Sequence, residues 1–482
     1  MTRTVALAEG DGIGPEITDA VLSIFRAADV PIQFKKVEIG LSVFKQGLST
    51  GMTPEAKATV EQLGILFKGP METPKGKGVK SINVTARKLW NAYANKRVFR
   101  SLPGVDTPFS KAGIPIDLTL VRENIEDTYG GIEHFLTHDV ALCRRLITRP
   151  GSEQVHRYTF EMAVRNGLNR VTCGHKANIM KLTDGLFLEV FYEISRDYPQ
   201  IMANDIIVDD LAMKLVRSPD QFQVIVLPNL QGDIISDLCA GLVGGLGFAP
   251  SANIGDSVAI FEAVHGTAPD IAGKGLANPT SLLMSGLMML RHLGLLSHAA
   301  AIESALLSTL ESGTHTADFG HTKGTPCSTM EFAKAIIERL KPPPASDRSE
   351  VSLSQGRDLS VITKHKLLAS PKPSAHLVGI DLFVESDSQP QAVADLILPL
   401  LTPPHNLTLI SNRGTQVWPS GSYLTDCVNQ YRVRLEISDG FQATESELLT
   451  LAARISNHIR VSSTEMLMKY RDVPAYSLAQ GQ

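Results

Sequence analysis

Cysteine is scarce in this 482-residue chain. There are five, Cys143, Cys173, Cys239, Cys327 and Cys427, far apart and with no CxxC pair. An odd, dispersed set argues against a disulfide framework and reads as reduced thiols in a cytosol-like compartment. No His/Cys cluster supports zinc. Long apolar runs are missing too. The most apolar stretch, 281–296, is cut by Arg291 and His292, so no membrane span of about 18 residues is present. The opening residues, MTRTVALAEGDGIGPE, have neither the apolar run of a signal peptide nor the Arg/Ser richness of a transit peptide. A bacterial cytoplasmic protein is expected, although a mitochondrial matrix protein stripped of its presequence would look the same. Excess charge is also lacking. Basic residues number 46 and acidic ones 50, which excludes the global cationic field of a nucleic-acid binder.

What is present is ordinary globular composition, 43% hydrophobic and 20% charged, at a length for two to four domains. One composition break stands out at 341–374, KPPPASDRSEVSLSQGRDLSVITKHKLLASPKPS. Consecutive prolines stiffen the chain and remove backbone donors, so 341–373 reads as a linker. Before it, apolar strands (4–9, 65–68, 118–122, 224–228) alternate with helical segments (15–28, 211–216, 281–293), which predicts an α/β fold. After it, the order strand (377–384), helix (390–401), strands (407–411, 431–437), helix (445–459) and a last extended piece fits a ferredoxin-like α+β domain over 374–482.

Three segments carry chemistry. The first, Gly10-Asp11-Gly12-Ile13-Gly14-Pro15, joins a strand to a helix. Its third glycine comes one residue too early for the dinucleotide fingerprint, so it reads as a tight turn rather than a Rossmann phosphate loop. The second, 68–100, holds Lys68, Thr73, Ser81, Asn83, Arg87 and Arg97, with Arg122 further on. Asn83 and Arg87 share a helical stripe. Ser81 is suited to a helix start, where N–H groups favour an anion. Guanidinium groups hold carboxylates bidentately, so the set suits a small polyanion with two or three carboxylates. The plainer alternative makes each arginine a surface ion-pair partner. The third is Asp209 with Asp233 and Asp237. Oxygen ligands spaced i, i+4 suit Mg²⁺ or Mn²⁺, while the plainer alternative makes Asp233 an N-cap and Asp237 a first-turn acid.

The segments GDGIGPE, KGPMETP, SINVTAR, RENIEDTYGGIE, HKANIMKLTDG, NLQGDIISD and HGTAPDIAGKGLANP occur in one order from residue 5 to about 330. Together they resemble the β-decarboxylating (isocitrate/isopropylmalate) dehydrogenase family, and within it the members that oxidise isocitrate. The resemblance implies a non-Rossmann α/β fold with a large domain (1–96 and 245–340, cofactor loop 265–279) and a small domain (97–244, dimer-forming segment 128–157). It implies isocitrate binding by Thr73, Ser81, Asn83, Arg87, Arg97 and Arg122, and catalysis by Tyr129 and Lys181. Asp209, Asp233 and Asp237 match the metal ligands. Lys68, Thr73, Glu262, His265, Gly266, Thr267, Ala268, Asp270, Ile271 and Asn278 match cofactor positions. The family works as a homodimer whose sites take Lys181 and Asp209 from the neighbouring subunit. A higher oligomer through the C-terminal domain stays open.

Ser81 and Asn83 favour a third carboxylate over an isopropyl group, which would leave them unpaired. Asp270 suits ribose hydroxyls and would sit against a 2′-phosphate, so NAD is expected. The expected reaction is isocitrate to 2-oxoglutarate, as in the tricarboxylic acid cycle. Homoisocitrate or 3-isopropylmalate oxidation and a non-catalytic regulatory subunit are the alternatives.

Overall fold

The computed structural model describes residues 2–72, 81–319, 326–341, 373–422 and 424–479. Thr73 and all but the ends of the expected linker fall outside the described residues. The chain divides into two units, Met1–Gly130 with Leu146–Leu367, and Gly131–Arg145 with Leu368–Gln482.

Along the chain the strands are β1 (Arg3–Ala8), β2 (Ile32–Lys36), β3 (Ile65–Lys68), β4 (Ala94–Arg100), β5 (Asp117–Glu123), β6 (Glu133–Phe135), β7 (Ala141–Cys143), β8 (Arg170–His175), β9 (Met202–Ile207), β10 (Val224–Leu227), β11 (Pro250–Ile254) and β12 (Ala259–Ala263). All but β6 and β7 form one sheet in the order β2-β1-β3-β12-β11-β4-β5-β10-β8-β9. Its wings are parallel, and β3 (ILFK) and β10 (VIVL) are buried end to end, as strands covered on both faces must be. Its middle is not parallel. β11 runs antiparallel to both β12 and β4, and β4 antiparallel to β5. A Rossmann sheet has no such centre.

The central strands are buried but not uniformly apolar. Register sets Lys68 beside Glu262, Glu262 beside Ser251, and Ser251 beside Arg97, in one row across β3, β12, β11 and β4. The next row carries Asn253, Asn95 and Arg122. Because side chains alternate along a strand, all of these project from one face. Their neighbours in sequence, Phe261, Ala252 and Val98, take the other.

The helix that follows β10 spans Asn229–Leu242. It begins four residues before Asp233. Asp233 is therefore not its N-cap, and Asp237 is not in its first turn, which removes the plainer alternative for both.

In the second unit, β13 (Ala375–Glu385), β14 (His405–Asn412), β15 (Thr415–Trp418), β16 (Gln430–Ile437), β17 (Arg460–Tyr470) and β18 (Val473–Pro474) form a sheet ordered β15-β14-β16-β13-β17-β18. The inner four are antiparallel. With helices Pro390–Ile397 and Glu445–Ser456 they give the expected βαββαβ order, to which β15 and β18 add short edges. Val393, Ile397, Leu448 and Leu451 pack on Ile380, Leu382, Val433 and Leu435. The hairpin β6–β7 groups with this unit, so the expected segment 128–157 is divided between the two. Thr137 Oγ1 donates to Asn429 Oδ1 at 3.0 Å, and Arg144 pairs with Glu465 at 2.6 Å.

Opposite the helices the sheet buries an ion pair. Arg434 reaches Asp381 through Nε–Oδ1 and Nη2–Oδ2, both 2.8 Å. The side chain of Arg434 has no exposure. Removing one partner of a buried pair costs about 3–5 kcal/mol, because the other charge is left alone. Asp381→Ala should therefore destabilise this unit by about that much in urea titrations, whereas Asp381→Leu with Arg434→Met should be close to neutral.

Candidate active site

The polar face of the central sheet holds a cluster of cations and carboxylates. Lys68 ends β3 and is buried, with its Nζ against Glu262 Oε2. Arg87, on the helix Ile82–Leu89, reaches Glu262 Oε1 at 3.0 Å. Asn253 Nδ2 donates to the same oxygen at 2.6 Å. Burial opposes the ionised form of Glu262, but Lys68 and Arg87 outweigh it and hold the carboxyl well below its ordinary range.

Arg97 and Arg122 are both buried. Arg97 Nε donates to Asn95 Oδ1 at 2.7 Å and its Nη1 to Ser236 Oγ at 2.5 Å. Burial, then Arg122 and Arg87, pull Arg97 down to about 10, so it stays a cation at neutral pH. Arg122 Nε donates to Asn229 Oδ1 at 2.9 Å, and its Nη1 pairs with Asp233. None of the three arginines is a surface ion-pair partner. Three mutually repelling guanidiniums in one cluster have the charge to suit an anion of several charges.

Asn83 Oδ1 and Arg87 Nε are buried with no hydrogen-bond partner among the described residues. Both stand on the helix Ile82–Leu89, at whose N-cap Ser81 lies without its side chain capping the helix. Orphaned buried polar atoms call for an occupant.

Tyr129 lies on the 3₁₀ turn Thr128–Gly130. Its hydroxyl donates to Asp233 Oδ2 at 2.5 Å, and the Arg122 guanidinium lies 4.8 Å from its ring centre. Burial and the bond to Asp233 push Tyr129 up, so the phenol keeps its proton. Burial also pushes against ionised Asp233, but Arg122, Tyr129 and Arg97 prevail and hold it low. Asp237, one turn on, lies 3.7 Å from Arg97.

Asp209 and Lys181 do not join this group. Asp209 is exposed and bonds Lys176 at 2.5 Å. Lys181 is exposed. No three His, Cys, Asp or Glu side chains gather into a metal site among the described residues.

The expected cofactor loop follows β12. Its Thr267 carbonyl accepts from Ile13 N–H at 2.9 Å. A Cβ at Gly12, where φ is +61°, would lie 2.1 Å from that oxygen. The tight turn read from the glycine spacing is therefore also the bed of this loop, and only glycine fits at Gly12. Glu16 adds an anchor by accepting from the N–H groups of Gly275 (3.1 Å) and Ala277 (3.0 Å). His265, Gly266 and Ala268 line the turn into Asp270, which is exposed beside half-buried Ile271. His265 Nε2 is buried without a partner among the described residues. Asn278 Nδ2 donates to Asp318 Oδ2 at 3.0 Å. Lys68 and Glu262 belong to the arginine cluster rather than to this loop.

The model for the family described as isocitrate/isopropylmalate dehydrogenase matches residues 4–336, and that for the bacterial isocitrate dehydrogenase C-terminal domain matches 375–482. The chain belongs to the isocitrate/isopropylmalate dehydrogenase family. Its fold is the family's α/β fold with an appended α+β domain. It is 44% identical to the isocitrate dehydrogenase [NADP] of Thermus thermophilus, over 100% of this chain and 96% of that one. It is 48% identical to the mitochondrial isocitrate dehydrogenase [NAD] catalytic subunit 5 of Arabidopsis thaliana, over 70% of this chain and 88% of the relative. The crystal structure of a Thermus thermophilus protein superposes with a TM-score of 0.93 at 42% identity, covering 100% of this chain and 96% of that one.

Within the family frame, the residues not expected from sequence are Asn95, Asn124, Ser236, Ser251 and Asn253. The alternation Pro-Ser-Ala-Asn-Ile at 250–254 was the available signal for two of them.

The ordinary value for Glu262 is 4.5, and its folded value lies below that. Its contribution is thus complete above pH 4.5 and is lost as pH falls further. Glu262→Gln should cost about 3–5 kcal/mol at pH 7 and flatten the loss of stability below pH 4.5 in urea titrations.

Proposed function

We propose that this chain oxidatively decarboxylates isocitrate to 2-oxoglutarate, using NAD and a divalent metal. The observation that carries the reading is the convergence of Arg87, Arg97 and Arg122 beside Tyr129 and Asp233. Arg87 Nε, a buried donor without a partner among the described residues, supports a further carboxylate. The NAD and NADP isocitrate dehydrogenases among the relatives support the substrate class. Homoisocitrate and 3-isopropylmalate are the competing substrates.

Asp233 and Asp237 offer hard oxygen donors one helical turn apart, which fits part of a Mg²⁺ or Mn²⁺ shell. A metal held there by Asp233 and Asp237 would supply Lewis acidity toward the substrate's oxygen, and a bound nicotinamide would supply the hydride acceptor. The chain's own residues do the rest. The three arginines hold the carboxylates. Lys181 or Asp209 takes the hydroxyl proton. After CO₂ leaves, Tyr129 gives its phenolic proton to the substrate carbon, and Asp233 holds that phenol in place.

Lys181 and Asp209 would come from a second copy. Supporting this, the helices Val208–Arg217 and Asn229–Leu242 expose Met213 (51%), Val216 (52%) and Ile234 (62%), an apolar face next to Asp209 and Asp233. We also place the protein in a reducing, cytoplasm-like compartment, on its five unpaired cysteines.

NAD is preferred on charge. The relatives that align over the whole chain are named for NADP, among them the Thermus enzyme. Here Asp270 stands on the adenosine turn and Asp318 on Asn278, so two carboxylates border that region. Like charges juxtaposed cost several kcal/mol, roughly a hundredfold or more in affinity for a 2′-phosphate.

Isocitrate with Mn²⁺ should yield NADH absorbance that EDTA abolishes. A higher kcat/KM with homoisocitrate or 3-isopropylmalate would overturn the substrate. For the cofactor, kcat/KM with NAD should exceed that with NADP. Asp270→Lys with Ile271→Tyr should shift the ratio toward NADP by on the order of a hundredfold. A parent enzyme that prefers NADP would refute the role assigned to Asp270.

A further inference from the structure

Asn253 is fully buried at the centre of a polar chain behind the arginines. Its Oδ1 accepts from Asn95 Nδ2 at 2.8 Å and from Asn124 Nδ2 at 3.0 Å. Its Nδ2 donates to Glu262 Oε1 at 2.6 Å. The amide fits one way only. Flipped, its oxygen would face a carboxylate and its N–H groups would face two donors. Beyond it on one side, Asn95 Oδ1 accepts from Arg97 Nε at 2.7 Å. Beyond it on the other, Glu262 Oε1 accepts from Arg87 Nη2 at 3.0 Å. An unbroken run of hydrogen bonds, Arg97–Asn95–Asn253–Glu262–Arg87, thus joins two guanidiniums on different elements.

We propose that Asn253 is a positioning residue for substrate binding, which fixes the spacing of Arg87 and Arg97 by linking Asn95 to Glu262. The proposal rests on the assignment of those arginines to isocitrate and adds a residue that does not touch it. A guanidinium free to choose rotamers loses that freedom on binding, whereas one tethered from behind has already lost it. Asn253 also inverts polarity. It presents an acceptor to the amides on one side and a donor to the carboxylate on the other, a task that Ala or ionised Asp cannot perform.

The test is steady-state kinetics of full-length variants. Asn253→Ala should raise the isocitrate KM by about 10- to 100-fold, with kcat within about threefold of the parent and the NAD KM unchanged. A merely structural role would lower the active fraction, and so kcat, at unchanged KM.

Asn253→Asp serves as the second variant and decides the matter if the alanine variant does not fold. Its introduced carboxyl faces Glu262, Asn95 and Asn124, with Lys68 and Arg87 behind Glu262 and Arg97 behind Asn95. Protonated, it donates to Glu262 as the amide does. The ratio of its isocitrate KM to the parent's should therefore fall as pH is lowered from about 8 to about 6. A parent that does not oxidise isocitrate would sink the substrate reading and this proposal together. A parent that does, with Asn253→Ala at the parental KM or Asn253→Asp at a pH-independent ratio, overturns the role of Asn253 and leaves the substrate reading standing.

Discussion

Everything at the candidate site hangs on one carboxylate that water does not reach. Glu262 is buried, and a lone charge in that position would neutralise itself or unfold its surroundings. It stays ionised because Lys68 and Arg87 converge on its two oxygens. The dependence is mutual. Lys68 is just as buried, and Arg87 would have no fixed direction without the oxygen it meets. The cluster holds β3, β12 and the helix Ile82–Leu89 to one another by charge, where β4 and β11 are joined by side-chain amides and the wings of the sheet by apolar packing. The candidate site is therefore built of groups that also hold the fold together.

The parts of this fold legible in the sequence were those obeying simple periodicity. β3 and β10 are short apolar runs, and the helix Thr280–His292 is apolar almost throughout. The C-terminal βαββαβ order was visible because each strand there alternates and each helix has an apolar stripe. Of the strands that carry the site, β3 and β5 were visible, whereas β4, β11 and β12 were not. β4 reads ANKRVFR and β11 reads PSANI, and both run through the interior. A buried strand with Asn, Arg and Ser on one face defeats the rule that polar residues face solvent, because its partners are other buried polar groups from segments far away in sequence. The individual site residues were easier to find than their supports. Arg87, Arg97 and Tyr129 stand in recognisable segments, whereas Asn95 and Asn253 acquire meaning only when β4 and β11 are placed side by side.

The glycine-rich start shows the same division. Its spacing was enough to argue against a Rossmann phosphate loop. What it does instead depends on contacts more than 250 residues away, where Thr267 closes over Gly12 and Glu16 ties down the N–H groups of Gly275 and Ala277. A turn that looked like a ligand cradle is the seat of another loop. In the proposed reaction the nicotinamide cofactor meets that loop and not the turn beneath it.

The alternation of the central strands has a consequence for how the chain finds its structure. Arg97 faces the buried polar cluster, and Val98 beside it faces the other side of the sheet, where it lines a cavity with Lys96, Arg100, Met284 and Leu287. A slip of one residue between β4 and its neighbours would take Arg97 out of the polar row and put Lys96 or Val98 beside Ser251 in its place. The polar groups of that row therefore favour one register of these strands over its neighbours. A molecule mispaired there would lose the buried hydrogen bonds and ion pairs of that row together with the candidate site.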